Sequence, residues 1–200
     1  MIDFNEAKHE YKIDGRPVPS VTQIISEILG HGWQAEQWYL DRGKAIHKCA
    51  EFICQGKEFT ADPRLAGYVA AISNFFAETK AEIIHSELRV ASIKYDFAGT
   101  LDLICKIGAR NVIIDWKHSV DKIRLPIQVG GYAVACAEII GREYAFGAGV
   151  QIREDGTYRM TEIFNLQIPV REFLALRTAY RIKDACGNLT SQLKEKENGN

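Results

Sequence analysis

Two hundred residues, 46% hydrophobic and 26% charged, supply enough apolar material for a buried core and exclude disorder along the whole chain. The formal net charge of −1 excludes a broadly basic surface, so a polyanion would have to be met in a local groove with the help of a cation. No run approaches the roughly 18 apolar residues of a membrane span, and the N-terminal stretch with Asp3 and Glu6 lacks the apolar centre of a secretory signal, so a cytoplasmic protein is expected.

Residues 2–19 contain short extended runs broken at Asp14-Gly15, a good hairpin turn. "PSVTQIISEILG" offers Ser20 or Thr22 as a helix N-cap, an apolar face at Ile24, Ile25, Ile28 and Leu29, and a stop at Gly30. Residues 35–55 read as helix despite Gly43, and Pro63 behind Asp62 opens another that runs to about Lys80. From Ile83 the period changes to two: "IIHSELRVASIKYDFAGTLDLICKI" predicts two strands and "NVIIDW" a third. Helix returns over 127–140, a hairpin turns at Asp155-Gly156, and a last helix runs from Pro169 to about Ala185. The tail from residue 190 is polar enough to fray, so a single domain over 1–189 is expected, its core about 82–165. The cysteines, Cys49, Cys54, Cys105, Cys136 and Cys186, are odd in number and form no C-x-x-C pair, so they read as buried reduced thiols with no zinc or iron–sulfur site.

"GTLDLICKIGARNVIIDWK" raises a question, because it sets carboxylates among residues made for a buried sheet. If "GARN" closes a tight hairpin, residue 102 faces 117 and 104 faces 115, so Asp102, Asp115 and Lys117 project from one face. Two carboxylates at cross-strand distance repel unless a cation sits between them, and Mg²⁺ is the ion that prefers such oxygen ligands. Lys117 beside them could hold a water or neutralise charge on a phosphate, a constellation suited to phosphodiester hydrolysis. From these three residues alone, a salt-bridged polar face explains the pattern equally well.

Further residues break the tie. Glu87, then "AGTLDLI" with Asp102 and "IIDWK" with Asp115 and Lys117, resembles the PD-(D/E)XK nuclease superfamily. "RGKAIH" with Gly43 and His47, and "QVGGYA" with Gln128 and Tyr132, resemble motifs of its RecB-like exonuclease branch, as does "VPSVTQII" the opening of small phage and mitochondrial genome-maintenance exonucleases. The resemblance spans about residues 9–160 and implies an α/β (α+β) restriction-endonuclease-like core, a central mixed sheet flanked by helices behind an N-terminal helical segment.

It also implies roles. Asp102, Asp115 and His47 would bind one or two Mg²⁺ or Mn²⁺ ions, with the Trp116 carbonyl as a further ligand and Glu87 acting through water. Lys117 would position the nucleophile, and Gln128 and Tyr132, one helical turn apart, would orient Lys117 or the phosphate. The family's proline before the first aspartate is Leu101 here. The implied activity is a metal-dependent DNA exonuclease, serving recombination, repair or phage genome processing in a phage or bacterial host cytosol. Its partner would be single- or double-stranded DNA with a free end, and a homo-oligomer or recombination partner protein is compatible with the branch.

Ser20 and Thr22 at a helix N-terminus, with Arg42, Lys44, Lys48, Lys122 and Arg124, would line the DNA groove, and Trp33, Trp38 and Tyr39 are available for stacking. Each has an ordinary explanation too: the hydroxyls cap a helix, the cations make solvated faces, and a lone helical histidine is more often structural than a ligand. His85 and His118 have no motif support. A non-catalytic nucleic-acid-binding module, an endonuclease and an RNase of the same fold are the alternatives, since nothing in the sequence reads a 2′-hydroxyl or an end.

Overall fold

The computed structural model describes residues 1–6, 8–30 and 37–198, the side chains of residue 37 and of 188–198 excepted. Three short strands open the chain, β1 (Ile2–Asn5), β2 (Glu10–Ile13) and β3 (Arg16–Val18), and pair antiparallel in that order with a turn at Asp14 and Gly15. Their inward residues Tyr11, Ile13 and Val18 pack on Ala91 and Ala98, so this small sheet forms its own apolar cluster against the main one.

Four helical segments follow or flank the main sheet: α1 (Val21–Leu29), α2 (Gln37–Cys54), a 3₁₀ turn (Pro63–Leu65) and α3 (Ala66–Thr79). Ser20 Oγ accepts from the Gln23 backbone amide at 3.0 Å, the N-cap that the sequence offers. Ser20→Ala is expected to destabilise the protein by about 1 kcal/mol, read as a shift of the denaturant midpoint.

The main sheet has the order β4 (Glu82–Ser92), β5 (Phe97–Ile107), β6 (Arg110–Lys117), β7 (Phe146–Ile152) and β8 (Tyr158–Phe164). All neighbours are antiparallel except β6 and β7, joined in parallel through the crossover helix α4 (Arg124–Ile140). A last helix, α5, covers Gln167–Asn198. One sheet face packs under α1, α4 and α5 through residues such as Leu101, Ile113, Val129 and Phe173. The other packs under α2 and α3 through Leu103, Ile114, Trp116, Ile72 and Phe75.

Three expectations need correction. α4 begins at Arg124 rather than 127, because Asp121 Oδ1 accepts from the Ile123 and Arg124 amides at 2.9 and 3.0 Å, and Pro126 in the first turn forfeits no helical bond. α5 continues to Asn198, past the expected end near residue 185, since a polar run of Gln, Lys and Glu is solvated without being a poor helix former. Cys54 is half-buried and Cys186 exposed, whereas Cys49, Cys105 and Cys136 are buried as expected.

Candidate active site

The β5–β6 hairpin turns through Gly108 and Ala109, with Gly108 at φ 59°, and not through four residues. The register therefore pairs Ile107 with Arg110 and Leu103 with Ile114, two residues away from that expected. A shift of two keeps the parity of every side chain, which is why the motif remains legible. The flat-face picture fails for another reason. Leu101 packs under α4 but Leu103 packs under α3, so the alternation of faces slips at Asp102. On the neighbouring strand Glu87 has φ 49°, a left-handed conformation that costs a non-glycine residue energy.

That slip aims Asp102 between elements. Its Oδ2 accepts from the Trp116 amide at 2.7 Å, and its Oδ1 lies 3.2 Å from His47 Nδ1 on α2. The Trp116 ring is buried on the opposite face, edge-on to Phe75 at 5.1 Å, which fixes the end of β6. Gly43 lies one turn before His47, and a Cβ there would meet nothing within 4 Å, so the helix leaves open space beside the imidazole.

Asp115 and Lys117 point toward α4. Lys117 Nζ is 2.5 Å from Asp115 Oδ2 and donates to Gln128 Oε1 at 3.2 Å, while Gln128 Nε2 donates to Asp115 Oδ1 at 2.8 Å. Gln128 thus closes a three-membered polar network, and its amide also reaches the Tyr132 hydroxyl at 3.3 Å. Tyr132 is seated by Gly99, where a Cβ would stand 3.0 Å from the ring. Although the ammonium neutralises Asp115, its buried Oδ2 has no well-directed hydrogen bond among the described residues.

Ligand atoms of His47, Glu87 and Asp102 lie within 4.8 Å of one another. Their electrostatics are those of a site short of positive charge. The Asp102 carboxylate pushes the His47 imidazole up to about 9 against the effect of burial, so the ring is an imidazolium at neutral pH. Burial, then the charge of Asp102, push Glu87 up to about 7. Burial would also raise Asp102, but His47, its hydrogen bond and Lys117 outweigh that and hold it low. Burial pushes Asp115 up to about 6, restrained by Lys117. Lys117 is held above its ordinary value because Asp115 and Asp102 outweigh its own desolvation. Two carboxylates, an imidazole and a poorly satisfied carboxylate oxygen nearby fit a small divalent cation coordinated by oxygen and nitrogen.

A cleft of about 890 Å³ opens over these donors between α2, the N-terminal sheet and β5. Ser20, Thr22, Lys44 and Lys48 line it, as does Tyr132. Arg42, Lys122 and Arg124 are not in its lining. Arg42 reaches His118 Nε2 at 3.1 Å and stacks over Tyr39, and Arg124 spends its guanidinium on the Leu29 and Gly30 carbonyls at 3.0 and 2.8 Å, closing the end of α1. Lys48 is paired with Glu51 at 2.6 Å. Tyr39 lines the cleft, Trp38 lies under Arg64, and Trp33 falls outside the described residues.

The sequence reading missed Tyr11 and Thr100, whose hydroxyls meet at 2.9 Å in the cleft wall, and the Phe4 and His9 rings beside them. Thr100 had a signal, standing two residues before Asp102 on one strand. Tyr11 had none, since only the tertiary fold brings the first hairpin to this site.

A mixed sheet with an aspartate in the middle of one strand beside an Asp-x-Lys strand end, crossed by a helix that carries a glutamine onto the lysine, is an α+β fold of the restriction-endonuclease-like kind. Among solved structures it is shared with LHK-Exo, an alkaline exonuclease from Laribacter hongkongensis, in its complex with dAMP: TM-score 0.52 at 12% identity, over 90% of this chain and 94% of that one. A candidate exonuclease from Eubacterium rectale gives a TM-score of 0.49 at 12% identity, over 82% of this chain and 73% of that one. No protein-family model matches the sequence, and none of the curated proteins is similar to it in sequence. Among the described residues no helix is long and apolar enough to cross a membrane.

Proposed function

We propose that the protein is a divalent-metal-dependent DNA nuclease, most specifically an exonuclease. The observation that carries the reading is the convergence of His47, Glu87 and Asp102 within 4.8 Å, beside the buried Asp115, Lys117 and Gln128 network. A deoxynucleotide ligand is supported by the complex of LHK-Exo with dAMP.

Mg²⁺ or Mn²⁺ bound there would polarise a phosphodiester and acidify an attacking water. His47, Glu87 and Asp102 would hold it, with Asp115 and the Trp116 carbonyl as the remaining candidate ligands. Lys117 keeps its proton and offers fixed positive charge to the phosphoryl oxygens as they gain negative charge. Gln128 holds the lysine on its aim, and Tyr132, whose pKa is raised well above 10 by burial and the aspartates, stays a neutral phenol.

Linear oligonucleotides labelled at either end, incubated with Mg²⁺, Mn²⁺ or EDTA, test this directly. Metal-dependent shortening from one end supports an exonuclease and gives its polarity. Binding without shortening in either metal would replace the proposal by a non-catalytic module, and a circular single strand cut as fast as a linear one would make it an endonuclease. An RNA strand of the same sequence decides the sugar.

Metal binding should also release protons, because the ligand forms are neutral imidazole and ionised carboxylate. His47 titrates at about 9 and Glu87 at about 7 in the metal-free protein. Mn²⁺ affinity is therefore expected to rise about tenfold per pH unit between 7 and 9, with about one proton released per ion at pH 8. The metal-free protein moves the opposite way. Both folded values lie above the unfolded ones, so these groups favour folding at low pH, and that contribution is lost as pH rises through about 7 for Glu87 and about 9 for His47. Calorimetry in two buffers of different ionisation enthalpy counts the protons, and a count of zero at pH 8 refutes the assignment of His47 as a ligand.

A further inference from the structure

A second cleft, of about 750 Å³, lies between the N-terminal sheet, the β4–β5 turn and α5, and it shares His9 and Tyr11 with the lining of the catalytic cleft. The two are neighbouring chambers with one wall in common, and that wall is aromatic: Tyr11 stacks on Phe4 at 4.4 Å, and His9 stands edge-on to both rings. None of the catalytic residues lines the second chamber.

Its charges are unevenly satisfied. Arg177 donates through Nη2 to the Asp96 carbonyl at 3.0 Å, but its buried Nε has no hydrogen-bond partner among the described residues. A buried donor left unmatched costs free energy until an acceptor arrives. Lys94 and Arg181 are exposed, and among the described residues neither enters an ion pair. Three carboxylates also line the chamber, Glu10, Asp96 and Asp184, and Asp96 is committed to a two-pronged pair with Arg16 at 2.5 and 2.6 Å. The rings of Tyr95 and Tyr180 are both half-buried, with Lys94 Nζ 5.0 Å from the centre of the first and the Arg177 guanidinium 5.8 Å from the centre of the second, so a base would stack on the opposite face or edge of each. A cleft that holds both cations and partly exposed rings suits a strand that carries both phosphates and unpaired bases.

We infer that the second cleft is a track for single-stranded DNA continuous with the catalytic cleft, in which Lys94, Arg177 and Arg181 hold backbone phosphates and Tyr95 and Tyr180 flank the bases. The inference rests on the nuclease reading for the identity of the strand, but the track itself is tested by binding alone. A duplex is disfavoured because paired bases present no free face to the rings.

The test uses the full-length protein in EDTA with fluorescein-labelled oligothymidylates of 4 and 12 nucleotides and a 12-base-pair duplex. The wild type should bind the 12-mer more tightly than the 4-mer. The double variant Lys94→Ala, Arg181→Ala, altered only at exposed positions, should bind the 12-mer on the order of tenfold more weakly at 0.1 M salt, with a log–log salt slope shallower by about 1.4 for two lost phosphate contacts. Arg177→Lys, which keeps the charge but loses the fork, should weaken 12-mer binding as well. Equal 12-mer affinity in wild type and double variant, or no gain from 4 to 12 nucleotides, overturns the track. An equal loss on the duplex overturns the assignment to a single strand.

Hydrolysis of bis(p-nitrophenyl) phosphate with Mn²⁺ reads the catalytic centre alone and should be unchanged in the double variant. If the wild type shows no hydrolysis while the variant still loses 12-mer affinity, the nuclease reading fails and the track stands. If hydrolysis is intact and 12-mer affinity is unchanged, the track fails and the nuclease reading stands.

Discussion

A Lys117→Met protein is expected to fold and to bind Mn²⁺, yet to cleave oligonucleotide ends about a thousandfold more slowly than the wild type. Methionine preserves most of the apolar stem of Lys117 and removes the ammonium that faces Asp115 and that the proposed mechanism sets against the phosphate. Asp115, with 3% of its side chain exposed, would keep only the Gln128 amide as a donor. Its carboxyl, already pushed up to about 6 by burial, would rise further and take up a proton rather than remain an unpaired buried charge. The variant therefore escapes the full penalty of a buried charge, and the damage is concentrated in catalysis. Single-turnover cleavage beside a thermal melt and a Mn²⁺ titration separates these effects. A cleavage rate within a few-fold of wild type would remove Lys117 from the mechanism.

Gly130→Val should be strongly damaging to the fold. A Cβ at Gly130 would lie 2.4 Å from the Pro169 carbonyl carbon and 2.5 Å from its oxygen, so α4 and α5 would have to separate. The obstacle is backbone, which cannot swing aside as a side chain can. A loss of about 3 kcal/mol or more is expected, lowering Tm by roughly 10 °C. Because α4 also carries Gln128 and Tyr132, cleavage should fall with it even below the melting transition. Gly43→Ala is the control: it has no neighbour within 4 Å, and helix propensity favours alanine, so Tm should hold or rise slightly. Coincident melts for Gly130→Val and wild type would show that the two helices can yield at this contact.

The candidate site's geometry was legible where its information is local. Asp102, Asp115 and Lys117 belong to one hairpin, and Gln128 follows on the crossover helix, so strand parity and one helical turn suffice to relate them. The expected register was two residues out because "GARN" does not announce that Gly108 and Ala109 alone make the turn. Parity survived that error, but the slip of faces at Asp102 did not appear in any periodic pattern. Positive charge was harder to place. Arg124 looks like a groove residue in sequence, whereas the carbonyl end of α1, 94 and 95 residues earlier, claims it. The first hairpin illustrates the same limit, since the docking of Tyr11 beside Thr100 depends on a contact across 89 residues.

Under the proposed function, the left-handed backbone at Glu87 sets stability and activity against each other at one position. A residue held there costs about 1–3 kcal/mol, and glycine or asparagine would relieve much of it. Either replacement removes the carboxylate that stands with His47 and Asp102. A search for hardier variants that scores thermal resistance alone would therefore be drawn to this residue and would return proteins that survive heat without working.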